Sequence, residues 1–417
     1  MLQKILLNEK NMKRNIVFWN AFSAMMNSFQ TMVILMIVTR MGDKTDSSIF
    51  VMAYAVGNLM IHIGKYGVRQ YQVTDVEEKY SFLAYLRARY VSMAFMFAGI
   101  AGYLGINAWV NDYSFDKTIV ILMICVLKAI EAFEDVYHGR MQQKGRLDVA
   151  GRILGIRLCS FILMYVILYV ATKNLVMTTF ISLVFTAVMA IVLNGSVAGK
   201  FVGKQNEKQS SGVKNILLEC LPLCICMCLN MYIANAPKYT IDSVVNDEVQ
   251  TAFNIVFMPV FIIALLANFI FQPILKNLGE LWAENKRNKL VSTTIKLTGI
   301  VIAVDMVITF VGSFIGNPVL GAIYGVDLKK YDMELIIFML SGGIIALQNL
   351  YIMVITTVRY QKYMIYGYIF TALIMFLLGR TVLVRGGLVL LCWFFFGMIC
   401  LLTLYCVGLI VIAVKKR

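Results

Sequence analysis

Hydrophobic residues run along this chain in long blocks, with little of the strict alternation that marks strands. Twelve blocks fall near 15–39, 47–67, 86–109, 118–138, 151–172, 175–198, 216–236, 250–275, 290–315, 333–357, 364–380 and 387–414, each bounded by a short polar segment. A helix of about 20 apolar residues crosses a bilayer, and a helix is the one open structure that satisfies its own backbone there. The pattern therefore predicts an all-α polytopic membrane protein of about 12 transmembrane helices. Ahead of the first block, Leu2, Ile5 and Leu6 share a helical face beside Lys4, Lys10, Lys13 and Arg14, which predicts a short interfacial segment over 1–14. The first block is as long as a full span and no small-residue cleavage site follows it, so it reads as a retained span.

The polar, basic stretch Gly199–Gly212 lies at the midpoint and separates six blocks from six. It predicts two bundles, 1–205 and 206–417. Arg14-Asn15-Ile16 opens the first block and Lys214-Asn215-Ile216 the seventh, as expected of a parallel repeat about an axis normal to the membrane. All five prolines lie in the second half, and Pro222 and Pro259 fall within the seventh and eighth blocks. A proline there removes a backbone hydrogen bond and kinks the helix. Both a hinge used in transport and a static kink fit the pattern.

Composition sharpens this reading. Hydrophobic residues make up 60% of the 417, and charged residues 15%, where a soluble protein carries about 25%. Mean hydropathy is +0.77. The blocks leave no room for a large soluble domain. The net charge of +15 raises the question of nucleic acid, which its distribution answers. Alternate connections and the block ends beside them, taken with the N-terminus, hold 28 of the 38 Lys and Arg; the opposite connections and block ends hold nine, and Lys128 lies deep within a block. Such a bias places both termini in the cytoplasm, so the charge is a topology signal with no nucleic-acid partner. Nine cysteines include Cys220, Cys224, Cys226 and Cys228, but these sit inside an apolar block at spacings unlike a zinc site. No phosphate-cradling or dinucleotide-binding glycine motif is present. No metal and no cofactor are expected.

Charges at membrane depth are costly and are functional candidates by default. The fourth block holds Lys128, Glu131, Glu134, Asp135 and His138. Lys128, Glu131 and Asp135 recur on one helical face, either lining an aqueous cavity or forming a buried ion-pair network. Glu131, Glu134 and Asp135, with Asp305 in the ninth block, are the candidate ion-coupling carboxylates, for H+ or Na+. Asp305 has the alternative of pairing with a basic residue elsewhere. Arg40, Lys65, Arg69, Lys128, Lys238 and Arg359 form a basic set able to bind phosphate, with snorkelling to headgroups as the alternative for each.

Four stretches, Gly67–Asp75, Glu134–Asp148, Asn235–Asp242 and Phe253–Pro259, resemble the corresponding segments of Wzx-type polysaccharide flippases. These belong to the multidrug/oligosaccharidyl-lipid/polysaccharide exporter (MOP) superfamily. The resemblance runs from about Asn15 to the last block and implies two six-helix bundles around a central cavity, working by alternating access. It implies translocation of an undecaprenyl-diphosphate-linked oligosaccharide repeat unit between leaflets of the bacterial cytoplasmic membrane, without catalysis. Expected partners are this lipid-linked substrate, membrane lipids, H+ or Na+ if transport is coupled, and other polysaccharide-assembly proteins. A multidrug antiporter of the same superfamily would want an acidic cavity. A membrane-embedded polymerase or ligase would want a large outer loop, and the outer connections here are about 15 residues at most.

Overall fold

The computed structural model describes the chain except residues 1, 43, 111–112, 203–211, 243–246, 325 and 417. The described residues are helical almost throughout, with no strand. They divide into two compact units, Met1–Cys224 and Ile225–Arg417. The expected linker at the midpoint lies largely outside the described residues, and the division between units falls within the helix that follows it.

The N-terminal unit contains α1 (Leu2–Leu6), α2 (Met12–Met41), α3 (Lys44–Lys65), α4 (Val68–Val73), α5 (Phe82–Val110), α6 (Phe115–Gln143), α7 (Leu147–Thr172) and α8 (Leu175–Val202). The start of α9 (Val213–Asp242) completes it. Helix α6 is central and packs on α3, α4, α5, α7 and α8, while α2 packs on α7. Phe50, Tyr54, Ile121, Ile124, Phe161 and Tyr165 form part of the core between α3, α6 and α7. Tyr66 and Gly67 adopt left-handed φ of 51° and 69° after α3, so the chain turns sharply and α4 returns against α6.

Helix α1 docks on this unit. Leu6 is buried in a small cluster with Met141, Leu147, Ile153 and Leu193. Arg152 donates to the Leu6 and Asn8 carbonyls at 2.8 and 3.1 Å, and Arg146 reaches Glu9 at 2.8 Å. These arginines hold the N-terminal segment across the ends of α7 and α8.

The C-terminal unit holds the rest of α9, then α10 (Asp247–Phe257), α11 (Pro259–Ala283), α12 (Arg287–Tyr324), α13 (Asp332–Thr357) and α14 (Gln361–Lys416). Helix α13 is buried along most of its length by α11, α12 and α14. Phe253, Phe257, Phe338 and Phe395 interlock edge to face or tilted within this core.

Two expectations need correction. The eighth block is two helices: the run breaks at Met258, and Pro259 opens α11. Met258 keeps helical backbone angles (φ −56°, ψ −39°), and the amide that Pro259 lacks is what interrupts the bonded run there. Pro222, by contrast, sits inside the continuous run of α9. The last two blocks are not separated by a loop at 381–386, because α14 continues until Gly387 (φ 70°, ψ −168°). That conformation is open essentially to glycine alone, and it divides the 56-residue segment into two spans.

Among the described residues, nine helices are long and apolar enough to cross a membrane. Helix α6 falls outside that set because of its charges, α11 is 25 residues long, and α14 supplies two spans. The total is about twelve, and the chain is a multi-pass membrane protein.

Candidate functional site

The first of the resembling stretches forms α4 and the turn after it; the second forms the end of α6 and its exit. The fold brings them together. Arg69 on α4 donates to Asp135 Oδ1 at 3.2 Å and to Gln142 Oε1 at 2.9 and 3.1 Å. Asp75 accepts from the Tyr85 hydroxyl at 2.8 Å and from the backbone amides of Lys79 and Tyr80, which pins the turn between α4 and α5. Glu78, in that turn, pairs with Arg140 and Lys144. Partial burial pushes the Glu78 carboxyl up, but the hydrogen bonds and charges of Lys144 and Arg140 together outweigh this and hold it below the ordinary glutamate range.

Higher on α6 the charges form a graded series of pairs. Asp135 also receives Arg89, its Nη2 at 3.0 Å, while another guanidinium nitrogen of Arg89 bonds the Gly64 carbonyl. Glu134 meets Arg157 at 2.7 Å and accepts from Asn194 at 2.8 Å. Lys128 reaches both oxygens of Glu131 at 3.1 Å and lies 5.4 Å from the centre of the Tyr54 ring. All are buried: Arg89 is 0% exposed, Arg157 1%, Glu134 2% and Lys128 3%. Lys65, half-buried at the end of α3, lies close enough to Glu131 and Asp135 to interact with their charges. The α6 face thus carries a buried ion-pair network within the N-terminal unit.

Lys65, Arg69, Lys128, Glu131, Glu134 and Asp135 therefore gather in one network. Arg69 and Lys128 direct their donors to protein carboxylates and are not free cations. Glu134 pairs with Arg157, and His138 Nε2, one turn further along α6, has no hydrogen-bond partner among the described residues. Arg40 sits exposed in the last turn of α2, apart from the network.

In the C-terminal unit the other two resembling stretches also meet, with Lys238 Nζ on α9 at 4.9 Å from the centre of the Phe257 ring on α10. Arg359 occupies the turn after α13 in a left-handed conformation, φ 63°. Asp305 lies midway along α12, 7% exposed, and its Oδ1 has no hydrogen-bond partner among the described residues. No group of three or more His, Cys, Asp or Glu able to hold a metal occurs among the described residues.

This geometry is set within a known architecture. The chain aligns over its whole length (100%, and 99% of the other chain) with an outward-facing multidrug resistance MATE family transporter of the MOP superfamily, at TM-score 0.75 and 12% identity. It aligns equally fully with a MOP superfamily transporter from Pyrococcus furiosus, covering 97% of that chain at TM-score 0.74 and 10% identity. The fold is that of the MOP superfamily transporters. In sequence the chain is 22% identical over 319 residues to the capsular polysaccharide biosynthesis protein CapF of Staphylococcus aureus, covering 74% of this chain and 78% of CapF. No protein-family model matches.

Arg89 and Arg157 are the principal residues that sequence reasoning missed. Both entered the count of basic residues at the cytoplasmic ends of helices. Their position inside the third and fifth blocks was the available signal, since an arginine within a span needs a partner.

Proposed function

We propose that this protein is a flippase for undecaprenyl-diphosphate-linked oligosaccharide repeat units in the bacterial cytoplasmic membrane. The supporting observation is the alignment with a capsular polysaccharide biosynthesis protein over three quarters of both chains, on a transporter fold. A non-enzymatic role agrees with that fold. In this reading both termini face the cytoplasm, two six-helix bundles at 1–205 and 206–417 alternate in access, and the isoprenoid tail stays in lipid while the head group crosses. Arg40, Lys65, Lys238 and Arg359 are the cations we assign to the diphosphate; Arg69 and Lys128 donate to protein carboxylates. Pro222, within the run of α9, and Pro259, at the break between α10 and α11, are the hinge candidates.

A multidrug antiporter is the second reading, favoured by the resistance transporters that share the fold. One experiment separates them. Deleting the gene should trap lipid-linked repeat units in the inner leaflet and strip the cell of the corresponding surface glycan. Normal surface glycan with raised sensitivity to organic cations would instead support the antiporter.

A further inference from the structure

Counted as membrane spans, the third of each unit carries one fully or nearly buried charge against the fourth. In the N-terminal unit it is Arg89 on α5, and Asp135 on α6 answers it at 3.0 Å. In the C-terminal unit it is Asp305 on α12, and α13 presents no cation. Where Asp305 meets α13 stands Gly343, and a Cβ there would collide with the carboxyl group. The missing side chain lets the carboxylate reach the α13 backbone, where the Gly343 amide meets it but no cation answers its charge.

Among the described residues, the surrounding elements bring no counter-charge to it. Helix α12 packs on α10, α11, α13 and the short turn Lys329–Tyr331. The charged residues on these elements are Asp247 and Glu248 on α10, Lys276 and Glu280 on α11, Lys329 and Lys330 in the turn, and Asp332 and Glu334 on α13. The α10 and α13 acids and the two turn lysines lie at element ends, and Lys276 and Glu280 lie in the last third of α11. On α12 itself the nearest basic side chain is Lys296, exposed and nine positions away. Tyr351 on α13 is taken up by Thr298 at 3.1 Å. One turn beyond Asp305, on the same face, Thr309 is also buried, and its hydroxyl has no hydrogen-bond partner.

A carboxylate withdrawn from water without a counter-charge is far too costly to persist as an ion. It is neutralised by what it binds. A hard metal cation needs a shell of about six oxygens, whereas the described side chains bring one carboxylate and one hydroxyl here. A proton needs one oxygen.

We propose that Asp305 is a proton-binding site of the C-terminal unit, and that its loading permits the close packing of α12 on α13 at Gly343. Loss of the proton leaves an unpaired charge against the α13 backbone, which favours separation of the two helices and entry of water. The binding site stands on the geometry alone; its use to drive transport rests on the function proposed above.

The test uses the full-length protein in detergent with no substrate. Dicyclohexylcarbodiimide modifies protonated carboxyl groups in apolar surroundings, and peptide mass spectrometry locates the adduct. Asp305 should be labelled at acid pH, several-fold less at alkaline pH, and equally with or without sodium. An infrared carbonyl band of a carboxylic acid, present in the wild type and missing in Asp305→Asn, should accompany it. Protection by sodium at constant pH would overturn the proposal in favour of a sodium site. Absence of both the adduct and the band at acid pH would overturn it outright. Because no substrate enters the measurement, a positive result survives failure of the flippase reading, and a negative result leaves that reading untouched.

Discussion

At the scale of single residues, the buried pairs on α6 explain how a membrane helix tolerates so many charges. Each ion has a partner within 3.2 Å, so the cost of withdrawing it from water is offset, though not reversed. Breaking a pair is then worse than removing it. Arg157→Ala leaves Glu134 facing Asn194 alone, and it should lower stability by about 3–5 kcal/mol. The double variant Arg157→Leu with Glu134→Leu should recover most of that loss. Thermal unfolding of the detergent-solubilised protein reads both, and a double variant no better than the single one would show that the pair is not the origin of the loss. The sequence made half of this network legible. Lys128, Glu131 and Asp135 recur at helical spacing, and their burial follows from lying in an apolar block. Their arginine partners were not legible, because Arg89 and Arg157 come from helices whose contact with α6 depends on the tertiary fold.

At the scale of elements, hydrophobic blocks located the helices well because a span must be continuous to satisfy its backbone. They failed where the chain departs from a simple span. Hydropathy is blind to the break at Met258, since both sides are apolar. It also ended one block at 380 and began the next at 387, yet α14 continues to Gly387. The decisive feature is a backbone angle. An alanine at 387 would have to adopt φ near 70° with ψ near −168°, at a cost of order 1–3 kcal/mol. No neighbouring atom lies where its methyl would go, so the penalty is conformational and not steric. Gly387→Ala should lower the unfolding temperature by an amount matching that range, and Gly387→Asn should be milder only if the break can relax toward ordinary left-handed geometry. A neutral Gly387→Ala would mean that α14 straightens locally, with the final span shifting in register.

At the scale of the whole molecule, charge is distributed unequally between the two units. The ion pairs at membrane depth among the described residues all lie in the N-terminal unit, whereas the pairs recorded in the C-terminal unit, Lys276–Glu280 and Lys286–Glu284, involve side chains 31–54% exposed near the junction of α11 and α12. Paired charges present little net field to a substrate, so anion recognition in the proposed flippase falls to the cations assigned above to the diphosphate. Arg40 and Lys238 end or nearly end the first helix of each half, and in the cytoplasmic-termini topology both lie toward the outer face. Arg40→Glu and Lys238→Glu should each reduce flipping of a diphosphate-linked lipid in proteoliposomes by about tenfold, the loss of roughly 1.4 kcal/mol of charge-assisted binding. The decline should shrink at high ionic strength if the contacts are solvent-exposed. An organic-cation exporter makes the opposite prediction, because replacing positive charge with negative at the mouth would attract its substrate and raise its transport. Measuring the same two variants against a diphosphate lipid and a lipophilic cation therefore decides between the two substrate classes on the sign of the effect, without needing the identity of the glycan.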